Sequence, residues 1–224
     1  MWQRLVEEIG DRGFTVVAVA LDSEPGAPEP WIEAANPTYP VLIDRAHLLS
    51  ELYGVVNVPT AVWIDEAGRI VRPAEVAGAY EAFRYFDREQ GAIPGEHLER
   101  SKQVRRAYLD AIRDWVARGA ASEHVLSPGE IQQRRQAADP AVAEAHARFR
   151  LGQYLEGRGD DAGARAQFDE ASRLHPESWA IWRQTAEKLE NGIAGGPAFA
   201  AQVAALGERR YYPPVEMAGM PPEQ

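Results

Sequence analysis

The chain has 224 residues, room for one large or two modest domains, with an ordinary globular balance of 45% hydrophobic and 26% charged side chains. Its 34 acidic against 24 basic residues give a formal charge of −10, which disfavours binding to nucleic acid or an anionic membrane. It contains no cysteine, which excludes disulfides, thiolate metal sites and cysteine nucleophiles within these residues.

The acidic first segment carries Trp2, Leu5, Val6 and Ile9 at helical spacing. This predicts a helix over residues 1–12, closed by Gly13, rather than a secretory signal. No apolar run approaches the roughly 20 residues a spanning helix needs, and the chain reads as cytoplasmic. Residues 14–21 form a continuous apolar run rich in valine, as in a strand buried on both faces. Asp22 and Ser23 end it, and a proline-rich loop leads to a short helix over residues 31–35. An extended segment follows at residues 39–44, then a helix over residues 47–53 ended by Gly54. Residues 60–64 and 69–72 read as two strands of a hairpin, with Gly68 at the last loop position.

Beyond residue 90 the β signal disappears, and residues 91–95 read as a linker. Val104, Tyr108, Ile112, Trp115 and Val116 make a helical stripe that stops at Gly119. Ser127, Pro128, Gly129 and Glu130 form a capping box with proline at the first helical position. Asp139 and Pro140 repeat that start signal. The last segment, with prolines at 213, 214, 221 and 222, reads as an extended and poorly ordered tail.

Between residues 143 and 190 the spacing is more specific. Leu151, Gly152, Leu155, Ala164, Phe168, Ala171 and Pro176 fall on the small and large positions of a helix pair that resembles one tetratricopeptide repeat. Gly152 and Ala164 stand where the helices approach, Phe168 fills the groove, and Pro176 stops the second helix. One period of about 34 residues from Arg148 reaches Trp182, which with Ala186 and Leu189 resembles the first helix of an incomplete second repeat. Such arrays need about three units for a binding groove, so the pair reads mainly as a helical core.

Tyr53, Gly54 and Val55, then Pro59 and Thr60, then Val62 to Asp65, and then Gly68, Arg69 and Ile70 make a pattern that resembles thioredoxin-like redox proteins. The similarity is to TlpA/ResA-type thiol–disulfide reductases and to AhpC/TSA redoxins, and it covers about residues 1–86. It implies an α/β thioredoxin-like domain over residues 1–90, lacking its first strand, and the residue pattern beyond it reads as an all-α region over 91–210 and a proline-rich tail over 211–224. It also implies that Val58, Pro59 and Thr60 form the substrate-facing edge, with Pro59 as a cis-proline and the backbone of Val58 facing an extended substrate.

In those families a strand and a Cys-x-x-Cys motif precede the helix that here begins at Met1. The resemblance therefore implies a chain truncated before its nucleophile, which some relatives supply as selenocysteine. The absent strand would lie between residues 14–21 and 60–64. Its loss would leave about ten backbone groups unpaired, at roughly 1–3 kcal/mol each.

The implied activity is thiol–disulfide or peroxide oxidoreduction on a thiol, disulfide or peroxide substrate, inactive in these 224 residues and with no cofactor. A rival reading is a non-catalytic module in which the redox fold and the helix pair recruit a protein partner; a third is an assembly whose subunits complete each other's sheet. His47, His97, His124, His146 and His175 show no metal-ligand spacing and read as solvated or core residues. The acidic pair Asp65 and Glu66, like the basic cluster between Arg100 and Arg106, reads as a solvated face.

Overall fold

In the computed structural model, which describes residues 1–87, 89–134, 139–190 and 192–222, the chain divides into two compact units. The first is built from Met1–Thr15, Pro59–Arg134 and Ala200–Gln224, and the second from Val16–Val58 and Arg135–Phe199. Each unit thus draws on both halves of the sequence.

In the first unit, helix α1 (Trp2–Ile9) buries Leu5 and Ile9, and a single 3-10 turn carries the chain to Gly13, whose φ of 82° closes it. Strands β3 (Thr60–Ile64) and β4 (Ile70–Val76) form the antiparallel hairpin, and Gly68 in its turn has φ 76°. The sequence pattern ends this second strand at Arg72, just before Pro73. The strand nevertheless runs on to Val76, because the pairing shifts register between Ala61 and Trp63 where Pro73 lies, and a bulge needs no donor there.

Helix α4 (Gly95–Arg118) supplies Tyr108, Ala111 and Ile112 to a core shared with Leu5, Ile9, Trp63, Val71 and Ala77. The Trp63 indole N–H donates to the Tyr108 hydroxyl at 2.9 Å and the ring stacks on Trp115. Burial pushes the Tyr108 phenol up. On the rim, Arg113 forks onto Glu8 at 2.7 Å, tying α1 to α4 and holding the Glu8 carboxyl below its ordinary range.

Helix α5 (Pro128–Arg134) opens on the expected reciprocal cap. The Ser127 amide donates to Glu130 Oε2 at 2.8 Å and the Glu130 amide to Ser127 Oγ at 3.3 Å.

The tail corrects the expectation of poor order. Tyr211 is 2% exposed and its amide donates to the buried Glu81 at 2.6 Å. Val215, Met217 and Met220 pack on the core, and the Glu216 carbonyl accepts from Arg72 and Arg134. Arg100 donates to the carbonyls of Pro221 and Pro222. An irregular backbone offers its carbonyls outward, and these arginines use them. Residues 223–224 lie outside the described residues.

In the second unit, β1 (Ala18–Ala20) pairs in parallel with β2 (Val41–Ile43). The strand expected over residues 14–21 is therefore short and half-buried, with Val17 55% exposed. Side-chain type favours extension throughout that run, but among the described residues the ladder pairs only Ala18–Ala20 with Val41–Ile43. Helix α2 (Glu29–Ala35) precedes β2, and helix α3 (Leu48–Tyr53) follows it. The Asp44 carboxylate serves the first free amides of α3, accepting from Leu48 at 3.1 Å and Leu49 at 2.7 Å.

Helices α6 (Pro140–Glu156) and α7 (Asp161–Leu174) make the helix pair. Asp139 and Asp160 cap them, accepting from the amides of Ala141 and Gly163. Phe168 lies against Gly152, and with Ala145, Phe149, Ala164, Ala171 and Ile181 forms the core of this unit. Helix α8 (Trp179–Thr185) contains Trp182 but stops before Ala186, whose backbone is extended, so Ala186 and Leu189 do not continue the helix. The last helix, α9 (Gly196–Ala204), contains the division between the units.

Candidate functional site

Val58 and Pro59 end the connection between α3 and β3, and Thr60 begins β3. Gly54 ends α3 at φ 68°, and Ser50 then fastens the returning chain twice. The Val55 amide donates to the Ser50 carbonyl at 2.8 Å, and Ser50 Oγ donates to the Val55 carbonyl at 2.7 Å. The Val56 carbonyl accepts from Ala180 at 3.0 Å. Asn57 is buried, and its Oδ1 accepts from the Val58 amide at 2.9 Å.

Val58 thus has an exposed side chain and an amide already engaged by the preceding residue. A chain docking on the Val58 backbone has to compete with Asn57 for that donor. Val58 closes a segment of the second unit and Pro59 opens a segment of the first. Pro59 is exposed, and its carbonyl accepts from Ala77 at 3.1 Å, starting the ladder in which Thr60 faces Val76. Thr60 is half-buried at the head of β3.

Three of the histidines meet in the second unit. His47 is 1% exposed, His146 4% and His175 7%. The His47 ring lies 4.9 Å from that of Phe149, and His146 meets His175 edge-on at 6.0 Å. Neither ring nitrogen of His47 has a hydrogen-bond partner, and its φ of 53° is left-handed. Burial lowers His47 to about 4 and also lowers His146 and His175.

The core alternative for these residues is the correct one, but their convergence is not visible in the sequence. Positions 47, 146 and 175 share no period, and the only local signal is a non-glycine residue where α3 needs a left-handed turn.

Other polar side chains are engaged within the first unit. Asp65 shapes the hairpin turn, accepting from the amides of Ala67 at 3.0 Å and Arg69 at 2.8 Å, and Arg69 holds its carboxyl below the ordinary range. A cleft of about 370 Å3 in the first unit is lined by Glu81, Arg84, Tyr85, Gly207, Glu208 and Arg210. Its Arg84 is already committed to the carbonyls of Gly207 and Arg209 at 2.8 Å and to Glu81 at 3.1 Å. Among the described residues no group of three or more histidines and carboxylates is placed to hold a metal ion. No helix among them is long and apolar enough to cross a membrane.

Comparison with known proteins yields no match among curated proteins and none among solved structures. Residues 1–72, which run from α1 through both sheets into β4, match the family model of the AhpC/TSA family, and this supports kinship of that segment with the thioredoxin-like redoxins.

Proposed function

We propose that this chain carries the substrate-facing half of a thioredoxin-like redox protein of the thiol–disulfide or peroxide class. The observation that carries the reading is the AhpC/TSA match over residues 1–72, which ends within the second strand of the hairpin that Pro59 and Thr60 open.

Chemistry of this class needs a thiolate or selenolate to attack the disulfide or peroxide. These 224 residues contain no cysteine, so the nucleophile has to come from outside them. Val58, Pro59 and Thr60 then hold the substrate, with Pro59 in the cis form and the chain laid along the Val58 backbone. The finer assignment lies between a TlpA/ResA-type thiol reductase and an AhpC/TSA redoxin.

The test is insulin-disulfide reduction with a thioredoxin-reducing system. The chain alone is expected to show no rate above buffer. A fusion placing a strand and Cys-x-x-Cys segment ahead of Met1 is expected to reduce insulin, and its Cys→Ser version is not. A fusion that folds and stays inert overturns the proposal.

A second reading is favoured by the fit of Phe168 against Gly152. In it, α6 and α7 form a tetratricopeptide-like pair that recruits a protein partner, and the redox fold is only a scaffold. Loss of peptide binding on changing exposed Leu151 and Tyr154 of α6, with none on changing Val58, would favour this reading.

A further inference from the structure

His47 combines two unfavourable features in one residue. It adopts a left-handed backbone where glycine is at ease, and it buries an imidazole with both nitrogens unpartnered. Each is tolerated only while α3 stays packed on α6. The Glu51–Arg150 ion pair also joins α3 to α6, and the Gln153 side-chain amide on α6 donates to the Arg45 carbonyl, just ahead of α3, at 2.7 Å.

We propose that His47, His146 and His175 form an acid-responsive latch. On acidification the imidazoles charge and must reach water, α3 separates from α6, and the turn over residues 54–58 is released with it.

The surroundings explain why charge cannot be accommodated in place. Asp44 and Asp22 are the carboxylates facing His47. Both Asp44 oxygens already serve the α3 amides, and Asp22 Oδ1 accepts from Glu24. Lys188 and His146 oppose a charge on His47. Around His146, Glu51 favours charge but is paired with Arg150, and Arg150 and His175 oppose it. Around His175, Glu177 and Asp139 favour charge, and Asp139 is spent as the cap of α6.

Release reaches the turn because Ser50, on α3, holds Val55 through both its carbonyl and its hydroxyl. The latch operates whether or not residues 58–60 meet a substrate, so it stands apart from the redox reading.

The sign follows from burial. The packed state holds neutral imidazole, whereas an opened state takes up a proton near pH 6.5. Packing is therefore intact above that value and weakens as pH falls below it. One such histidine gives roughly a twentyfold rise in opening between pH 7 and pH 5.

Amide exchange on the full chain at those two values, corrected for the intrinsic pH dependence of exchange, reads this directly. Residues 44–58 are expected to gain about that factor of opening, while residues 104–116 of α4, in the other unit, stay protected. His47→Asn keeps a residue tolerant of the left-handed turn and is expected to remove most of the gain.

Equal opening at both values, an undiminished response in His47→Asn, or loosening of α4 in step with α3 overturns the proposal. Should the variant not fold, the imidazole signals of the unaltered chain decide. His47 is expected to charge over the same interval in which residues 44–58 open, and opening with His47 still neutral sinks the idea.

Discussion

Arg72 shows how much a single position can depend on the rest of its unit. The residue is 1% exposed, and its guanidinium forks onto Glu75 at 2.8 and 2.7 Å. It also donates to the His124 carbonyl at 2.8 Å and the Glu216 carbonyl at 3.1 Å, and its carbon lies 5.5 Å from the Trp63 ring centre. A buried cation persists only when its donors find acceptors of this kind. Arg72→Met keeps much of the bulk but strands Glu75 and two carbonyls, and is expected to cost about 3–5 kcal/mol, measured by chemical denaturation of the full chain. In the sequence Arg72 reads only as the end of a strand. Its acceptors at 124 and 216 are too distant along the chain for any local pattern to name them.

At the scale of elements, legibility follows the distance over which a signal acts. The α5 cap is readable because Ser127 and Glu130 lie three positions apart and answer each other directly. The hairpin is readable because Gly68 supplies its φ within the turn. The strand at residues 14–21 comes out shorter than its pattern because side-chain preference extends along the run, whereas a ladder extends only as far as its partner. The order of the tail is invisible locally because its arginine partners lie at positions 72, 100 and 134. Of the candidate edge, the resemblance puts Val58 and Pro59 just before the strand that Thr60 opens, but it cannot show that Asn57 takes the Val58 amide.

The α6–α7 pair is legible at its close approach, where a methyl on Gly152 would stand 2.4 Å from Phe168 Cε1. Gly152→Ala therefore forces the helices apart or Phe168 off its rotamer. The expected loss is about 1–3 kcal/mol in the second unit despite the better helix propensity of alanine, read as a lower thermal midpoint.

For the whole molecule, each compact unit draws on both halves of the sequence. Residues 1–90 contain Leu5, Ile9, Trp63, Val71 and Ala77, but the other side of that core, Tyr108, Ala111 and Ile112, comes from α4. A fragment ending at residue 90 is therefore expected to show no cooperative thermal transition by circular dichroism, whereas the full chain does. A two-state melt of that fragment would refute the packing described for the first unit. The interleaving has a further consequence during synthesis. With one body waiting for residues up to 199 and the other for residues beyond them, neither can mature while the ribosome is still adding those segments. Until α4 has emerged, Leu5, Ile9, Trp63, Val71 and Ala77 lack the Tyr108, Ala111 and Ile112 side chains that complete their core, so their apolar surface stays open to solvent or to a chaperone.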